Sequence, residues 1–348
     1  MTLNFHNEKF ANAVQLKAQN VPPIWFMRQA GRYHSHYQAL RAKHSFDELC
    51  KVPELAAETA LGPIEDFDFD VSILFSDLLY PLEALGMGLE YTDKGPQLGF
   101  QLNAQNLKQL KPWDEAIGFM EFQGQSVKAT RERLPKDKSL IGFVGSPWTL
   151  FVYAVEGTHK GHIEKAKSSL GFYGEYCQSL VPFLKENIRF QLDAGAEVVM
   201  LFDTAAGALH PTLFEEYVLP GLKEIVKAHS GRIAYYIKES TPGHLVALQR
   251  GGVMEPLAGV GYDHRWSLPE VLKDPGRNHY VQGNFDQAML LTDVDSYKMA
   301  LKLFIEQMRS LSPEERKGWV CGLGHGILPK VPEDYVRIFV DEVRKAFA

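Results

Sequence analysis

The sequence predicts a single-domain (β/α)8 TIM barrel spanning residues 1–348, with a hairpin inserted after the second strand. Two observations predict it: eight short apolar runs alternate with longer amphipathic segments, and no linker, low-complexity tract or charge block divides the chain. Strands that alternate with helices require right-handed crossovers and a parallel sheet. Eight such units in one undivided chain favour a closed barrel over an open doubly wound sheet.

The apolar run "PPIWFM" places the first strand at residues 24–27, and the second falls at 71–75. The stretch "LEYTDKGPQLGFQL" (89–102) reads as the inserted hairpin. Further strands are expected at 140–144, 198–202, 233–237, 257–262, 279–282 and 319–322. Helical spacing runs through 53–67, 175–195 and 332–348. The first of these opens on Pro53, suited to a first helical position, where its missing N–H leaves no bond unmade.

Lys plus Arg number 37 against 43 Asp plus Glu, a formal charge of −6. That balance argues against a nucleic-acid coat or a membrane-surface protein. An anionic ligand must therefore be held by a local cluster of cations. Cys50, Cys177 and Cys321 form no CxxC pair, which fits a reducing compartment and starts no structural zinc site. The opening "MTLNFHNEKF" shows no basic segment followed by an apolar one, so no secretory signal is expected. The longest apolar run, 141–155, is too short to span a bilayer. A cytoplasmic protein without membrane or nucleic-acid partners is expected.

In a barrel the reactive groups come from the carboxyl ends of the strands. In order those ends read "MRQAGRY", "FSD", "GSPWTL", "FDTAAG", "KES", "DHRW", "QGNFD" and "GLGHG". Arg28 and Arg32 offer planar forks suited to carboxylates. Gly31 between them is expected to take unusual backbone angles and approach a ligand. Taken singly, each candidate has a plainer reading. The arginines could bond helix ends or acidic neighbours, and Ser76 or Asp77 could cap the following helix. Tyr153 could be core, and Phe46 in "HSFDELC" could be a hydrophobic staple. His325, between glycines, could belong to a phosphate loop. The other histidines show no metal-ligand spacing.

Taken together the segments say more. "PPIWFMRQAGRY" (22–33) closely resembles the signature of the uroporphyrinogen decarboxylase family. "FSDLLYPLEALGMGLE", "GFVGSPWTLFVYAVEG", "FDTAAGAL" and "GLGHGILPKVPED" resemble further segments of that family, in the family's order. The resemblance implies a single-domain barrel that removes CO2 from the four acetate arms of uroporphyrinogen III, giving coproporphyrinogen III. It implies no metal, no organic cofactor and a homodimer. It also implies site residues: Asp77, Arg28 and Arg32 as catalytic, the two arginines anchoring carboxylates and one of them delivering the proton through a water or the bound carboxylic acid, with Gln29, Ala30 and Gly31 in the same wall. Asp77 would be the pyrrole-facing carboxylate, with Tyr153, Thr204 (serine is common there in the family), His325 and Phe46 binding substrate.

The match departs from the family at "HSHY" (34–37), where Leu-Pro-Glu-Tyr is usual, and at the polar "KESTPGHL" (238–245). These departures leave open a catalytically altered or silent porphyrinogen-binding paralogue. Two other readings are a phosphate-handling barrel and the corrinoid methyltransferase branch. The latter would require a His-x-Cys zinc motif, which this sequence lacks.

Overall fold

The computed structural model describes residues 5–92, 95–158 and 161–348. Seven strands form one curled parallel sheet: β1 (Val71–Ile73), β4 (Ser139–Gly145), β5 (Val198–Asp203), β6 (Ile233–Ile237), β7 (Gly259–Gly261), β8 (Tyr280–Phe285) and β9 (Trp319–Leu323). Neighbours in the sheet are neighbours in that sequence order, and each pair is parallel. Their near-continuous apolar composition follows from burial on both faces, since helices cover the outside. Between β1 and β4, an antiparallel pair is formed by β2 (Leu89–Thr92) and β3 (Gly95–Leu98). Residues 93 and 94, in the expected hairpin, lie outside the described residues.

The first predicted strand is where the structure differs most. Residues 24–27 form only an isolated parallel bridge, Ile24 to Cys321. On the β9 side the pairing is regular: Cys321 N–H donates to Pro23 O (2.8 Å) and Trp25 N–H to Cys321 O (3.0 Å). On the other side Asp70 N–H donates to Ile24 O (3.0 Å), but Ile24 N–H donates to the Asp70 side chain (2.8 Å). A carboxylate has taken the place of a backbone acceptor, so the ladder breaks there. β1 likewise stops at Ile73 rather than residue 75, although Leu74 N–H still bonds Ile141 O (3.0 Å).

Two helices hold this edge. Helix Pro53–Phe67 has the predicted bounds and buries a broad face that includes Ala57, Ala60, Leu61 and Ile64. Helix Glu333–Phe347 buries Val336, Phe339, Val340, Val343 and Phe347, a stripe at helical spacing. Its Phe339 ring meets Phe26 (4.9 Å) and Phe285 (5.6 Å), pinning the 24–27 segment to β8. Among the described residues no helix is long and apolar enough to cross a membrane.

Candidate active site

At the carboxyl ends of the strands lies a cleft with a cavity volume of about 200 Å³. One side is polar: Arg28, Gln29 and Ala30 from the loop after residue 27, Asp77 from the loop after β1, and His325 after β9. The other side is apolar, built largely by Ile73, Phe75, Phe143 and Phe202. Tyr153, Thr204 and Pro96 of β3 also line the cleft.

Arg28 carries the loop's unusual geometry. Its φ is +59°, the left-handed region that costs a non-glycine residue free energy, whereas Gly31 has no positive φ. The expectation that Gly31 would absorb the turn is corrected: the chain turns one residue after Met27, whose carbonyl accepts from Ile327 N–H (3.1 Å). Beyond the turn, the buried Tyr33 hydroxyl donates to Gln29 O (2.7 Å) and His34 N–H donates to Gly31 O (2.9 Å). The Arg28 stem then crosses Gly326, where a β-carbon would stand 2.5 Å from Arg28 Cδ. Gly326→Ala is therefore expected to displace the guanidinium, raising KM about tenfold with little change in kcat, while Arg28→Ala raises KM further. Steady-state kinetics on both variants checks this.

Among the described residues neither Arg28 nor Arg32 makes an ion pair or a side-chain hydrogen bond. Gln29 is buried with both amide atoms unpartnered among the described residues. Asp77 is half-buried, and its Oδ1 accepts from Leu79 N–H (2.9 Å), at the start of the short helix Tyr80–Leu82. One carboxyl thus lines the cleft and caps the chain behind it. Burial raises the Asp77 pKa above its ordinary value, more than the Leu79 amide, the Tyr91 hydroxyl and the Arg28 charge pull it down. Tyr153 belongs to the same electrostatic neighbourhood: burial and Asp77 raise its pKa while Arg28 opposes them.

His325 is held by Tyr236. The rings stack at 5.8 Å and 14°, and the Tyr236 hydroxyl lies 2.9 Å from Gly324 O and 3.0 Å from His325 Nδ1. The hydroxyl has one proton, which goes to the carbonyl, so Nδ1 carries the imidazole hydrogen. In the neutral ring Nε2 is then an acceptor.

Three expected residues do not line the cleft. Gly31 and Arg32 follow Ala30 along the loop, with Arg32 exposed. Phe46 stands behind the wall, edge-on to Phe75 (6.0 Å) and to Tyr91 (4.6 Å). The divergent "HSHY" segment does not line the cleft either, although its Tyr37 packs on Phe75 (5.8 Å). His34 is buried with Nε2 2.6 Å from Asp66 Oδ2, and His36 lies over Gly62, whose β-carbon would fall 2.4 Å from His36 Cδ2. Both histidines pack on helix Pro53–Phe67. Burial lowers the His34 pKa despite Asp66.

Several participants went unread in the sequence. Phe143 and Phe202 form the apolar wall, their rings 5.8 Å apart. Within an apolar run nothing distinguishes the residue whose ring reaches the cleft. Asp203, fully buried beneath Thr204, accepts hydrogen bonds from Ser146 Oγ (2.5 Å), Thr149 Oγ1 (2.7 Å) and the Tyr235 hydroxyl (2.8 Å). Four polar residue types converging from three chain segments were its only signal. Among the described residues no three His, Cys, Asp or Glu side chains gather as metal ligands. Burial also pushes the thiols of Cys50, Cys177 and Cys321 up.

Known proteins share both sequence and fold. The family model described as uroporphyrinogen decarboxylase (URO-D) matches residues 5–346. A Myxococcus xanthus protein named uroporphyrinogen decarboxylase is 34% identical over 97% of this chain and 96% of its own. One of the same name from Francisella philomiragia is 32% identical over 97% and 98%. Among solved structures, a methyltransferase from Methanosarcina mazei superposes with a TM-score of 0.72 at 16% identity, covering 99% of both chains. That likeness concerns the fold alone. The family match and the identity of these relatives over nearly their whole length establish that this chain belongs to the uroporphyrinogen decarboxylase family.

Proposed function

We propose that this protein decarboxylates the four acetate side chains of uroporphyrinogen III, giving coproporphyrinogen III, with no metal or organic cofactor. The observation that carries the proposal is Asp77: a half-buried carboxyl lining the same cleft as Arg28, which makes no ion pair among the described residues. Losing CO2 from an acetate arm leaves an electron pair that needs a sink. Protonating the pyrrole carbon that bears the arm makes the ring an iminium-like cation. The C–C bond then breaks, its electrons neutralise the ring, and protonation of the resulting methylene with loss of the ring proton yields the methyl. Each cycle consumes one proton and releases one CO2.

The residues divide that work. Asp77 faces the pyrrole N–H groups and stabilises the developing positive charge. One such pair at about 4 Å is worth roughly 4 kcal/mol at an effective dielectric near 20, and it acts fully because the carboxyl is already in place. Arg28 and Arg32 grip carboxylates, Arg28 in the cleft and Arg32 from its exposed rim. Gln29, Tyr153, Thr204 and His325 supply further polar contacts. Ala30 and Gly31 shape the loop, Phe46 backs the wall, and the apolar wall takes the macrocycle body. The proposal extends to the frame: residues 1–348 form one domain, with segment 24–27 as the eighth strand of a closed (β/α)8 barrel and β2 and β3 as its inserted hairpin. By resemblance the protein works in the cytoplasm as a homodimer.

The test is anaerobic incubation with uroporphyrinogen III, with and without chelator, resolving products from seven down to four carboxylates. Stepwise loss of carboxylates in both arms is expected. Binding without any loss would leave a silent porphyrinogen-binding protein instead. No observation favours that second reading, since the "HSHY" departure packs on a helix outside the cleft.

A further inference from the structure

Tyr91 presents a problem that neither packing nor the proposed reaction resolves. It sits on β2 in register with Pro96, the β3 residue that enters the cleft. Its ring is well accounted for, packed edge-on against Phe46 (4.6 Å) and Tyr80 (6.2 Å). Its hydroxyl is not: the oxygen is buried and makes no hydrogen bond of ordinary geometry among the described residues. A buried polar group without a partner is destabilising, and a phenylalanine would fill the same space without that cost.

The hydroxyl does have polar neighbours: the Asp77 carboxyl, the Tyr80 hydroxyl from the short helix Tyr80–Leu82, and the Cys50 thiol. The other titratable groups close enough to act on Asp77 come from separate elements: Arg28 from the loop after residue 27, Tyr153 from helix Pro147–Glu156, and Cys50 from helix Phe46–Lys51. Arg28 is the only cation among these four groups with Tyr91, and the proposed reaction gives it to a substrate carboxylate. Leu79 N–H already holds Asp77 Oδ1. A second donor is therefore needed once substrate displaces water and draws Arg28 away.

We propose that the Tyr91 hydroxyl is a positioning donor for Asp77, closing a hydrogen bond on the carboxylate when substrate fills the cleft and keeping it ionised and aimed at the pyrroles. The inference rests on the reading of Asp77 given above. In the empty cleft the hydroxyl makes no hydrogen bond of ordinary geometry among the described residues, so Tyr91→Phe keeps the ring packing and the fold.

The experiment measures kcat against pH, anaerobically, for the unsubstituted protein, Tyr91→Phe and Asp77→Asn. Losing one hydrogen bond to a carboxylate should move the acid limb of Tyr91→Phe up by about one pH unit. On the plateau above that limb kcat should stay within about threefold and KM should hold. A role in packing alone would change thermal stability and leave the limb where it was. An unmoved limb, with turnover abolished in Asp77→Asn, overturns the role of Tyr91 and leaves that of Asp77 standing. Normal turnover in Asp77→Asn overturns both.

Discussion

Asp77→Asn is expected to lower kcat by roughly 100- to 1,000-fold, the loss seen when one preorganised electrostatic group is taken from a transition state, with KM nearly unchanged. The geometry makes this a clean test. Asn is among the best capping residues, so its oxygen can still accept from Leu79 N–H, as Asp77 Oδ1 does at 2.9 Å. The fold around residues 77–82 should survive, and the variant's thermal transition should match that of the parent. Only the charge is removed. Burial holds the Asp77 pKa above the ordinary carboxylate range, so the parent's kcat should fall with acid at a pH above about 4. That limb should be missing from the residual activity of the variant. Near-normal turnover would show that the negative charge does not stabilise the reacting ring.

The parts legible in the sequence are those fixed by local pattern. β6 has its predicted bounds, as does helix Pro53–Phe67, because apolar run length and a first-turn proline specify them within a few residues. Segment 24–27 looked like a strand because it is apolar. Its pairing depended on Asp70, whose side chain intercepts a backbone N–H, and no local pattern marks that. The arginine loop shows the same division. Its residues were legible as carboxylate anchors, but the left-handed turn fell on Arg28 because its stem crosses Gly326, almost 300 residues away in sequence. Polar residues at strand ends announce a site. The aromatic wall does not, because Phe143 and Phe202 lie within the apolar runs 140–144 and 198–202.

Asp203→Ala should be the most destabilising single change near the cleft. It removes an acceptor from Ser146, Thr149 and Tyr235 at 2.5–2.8 Å and leaves three buried hydroxyls to find partners. The loss is expected to be roughly 4 kcal/mol, read by denaturant unfolding. Asp203→Asn should cost only about 1 kcal/mol, because burial already disfavours the charged form and raises the carboxyl pKa above its unfolded value. The sign of the pH dependence follows. A raised folded-state pKa makes the group's contribution largest below the unfolded value of 3.8 and removes it as pH climbs through the folded one. Asn, which does not titrate, should therefore compare best with Asp203 at neutral pH and worst in acid. The same carboxyl reaches the chemistry indirectly. Ser146 N–H donates to Phe202 O (3.0 Å) and Ala205 N–H to Thr149 Oγ1 (3.3 Å), so the Asp203 network brackets both Phe202 and Thr204. If Asp203→Ala and Asp203→Asn proved equally stable, the carboxylate's three hydrogen bonds would contribute nothing. The end of β5 would then have to be held by packing alone.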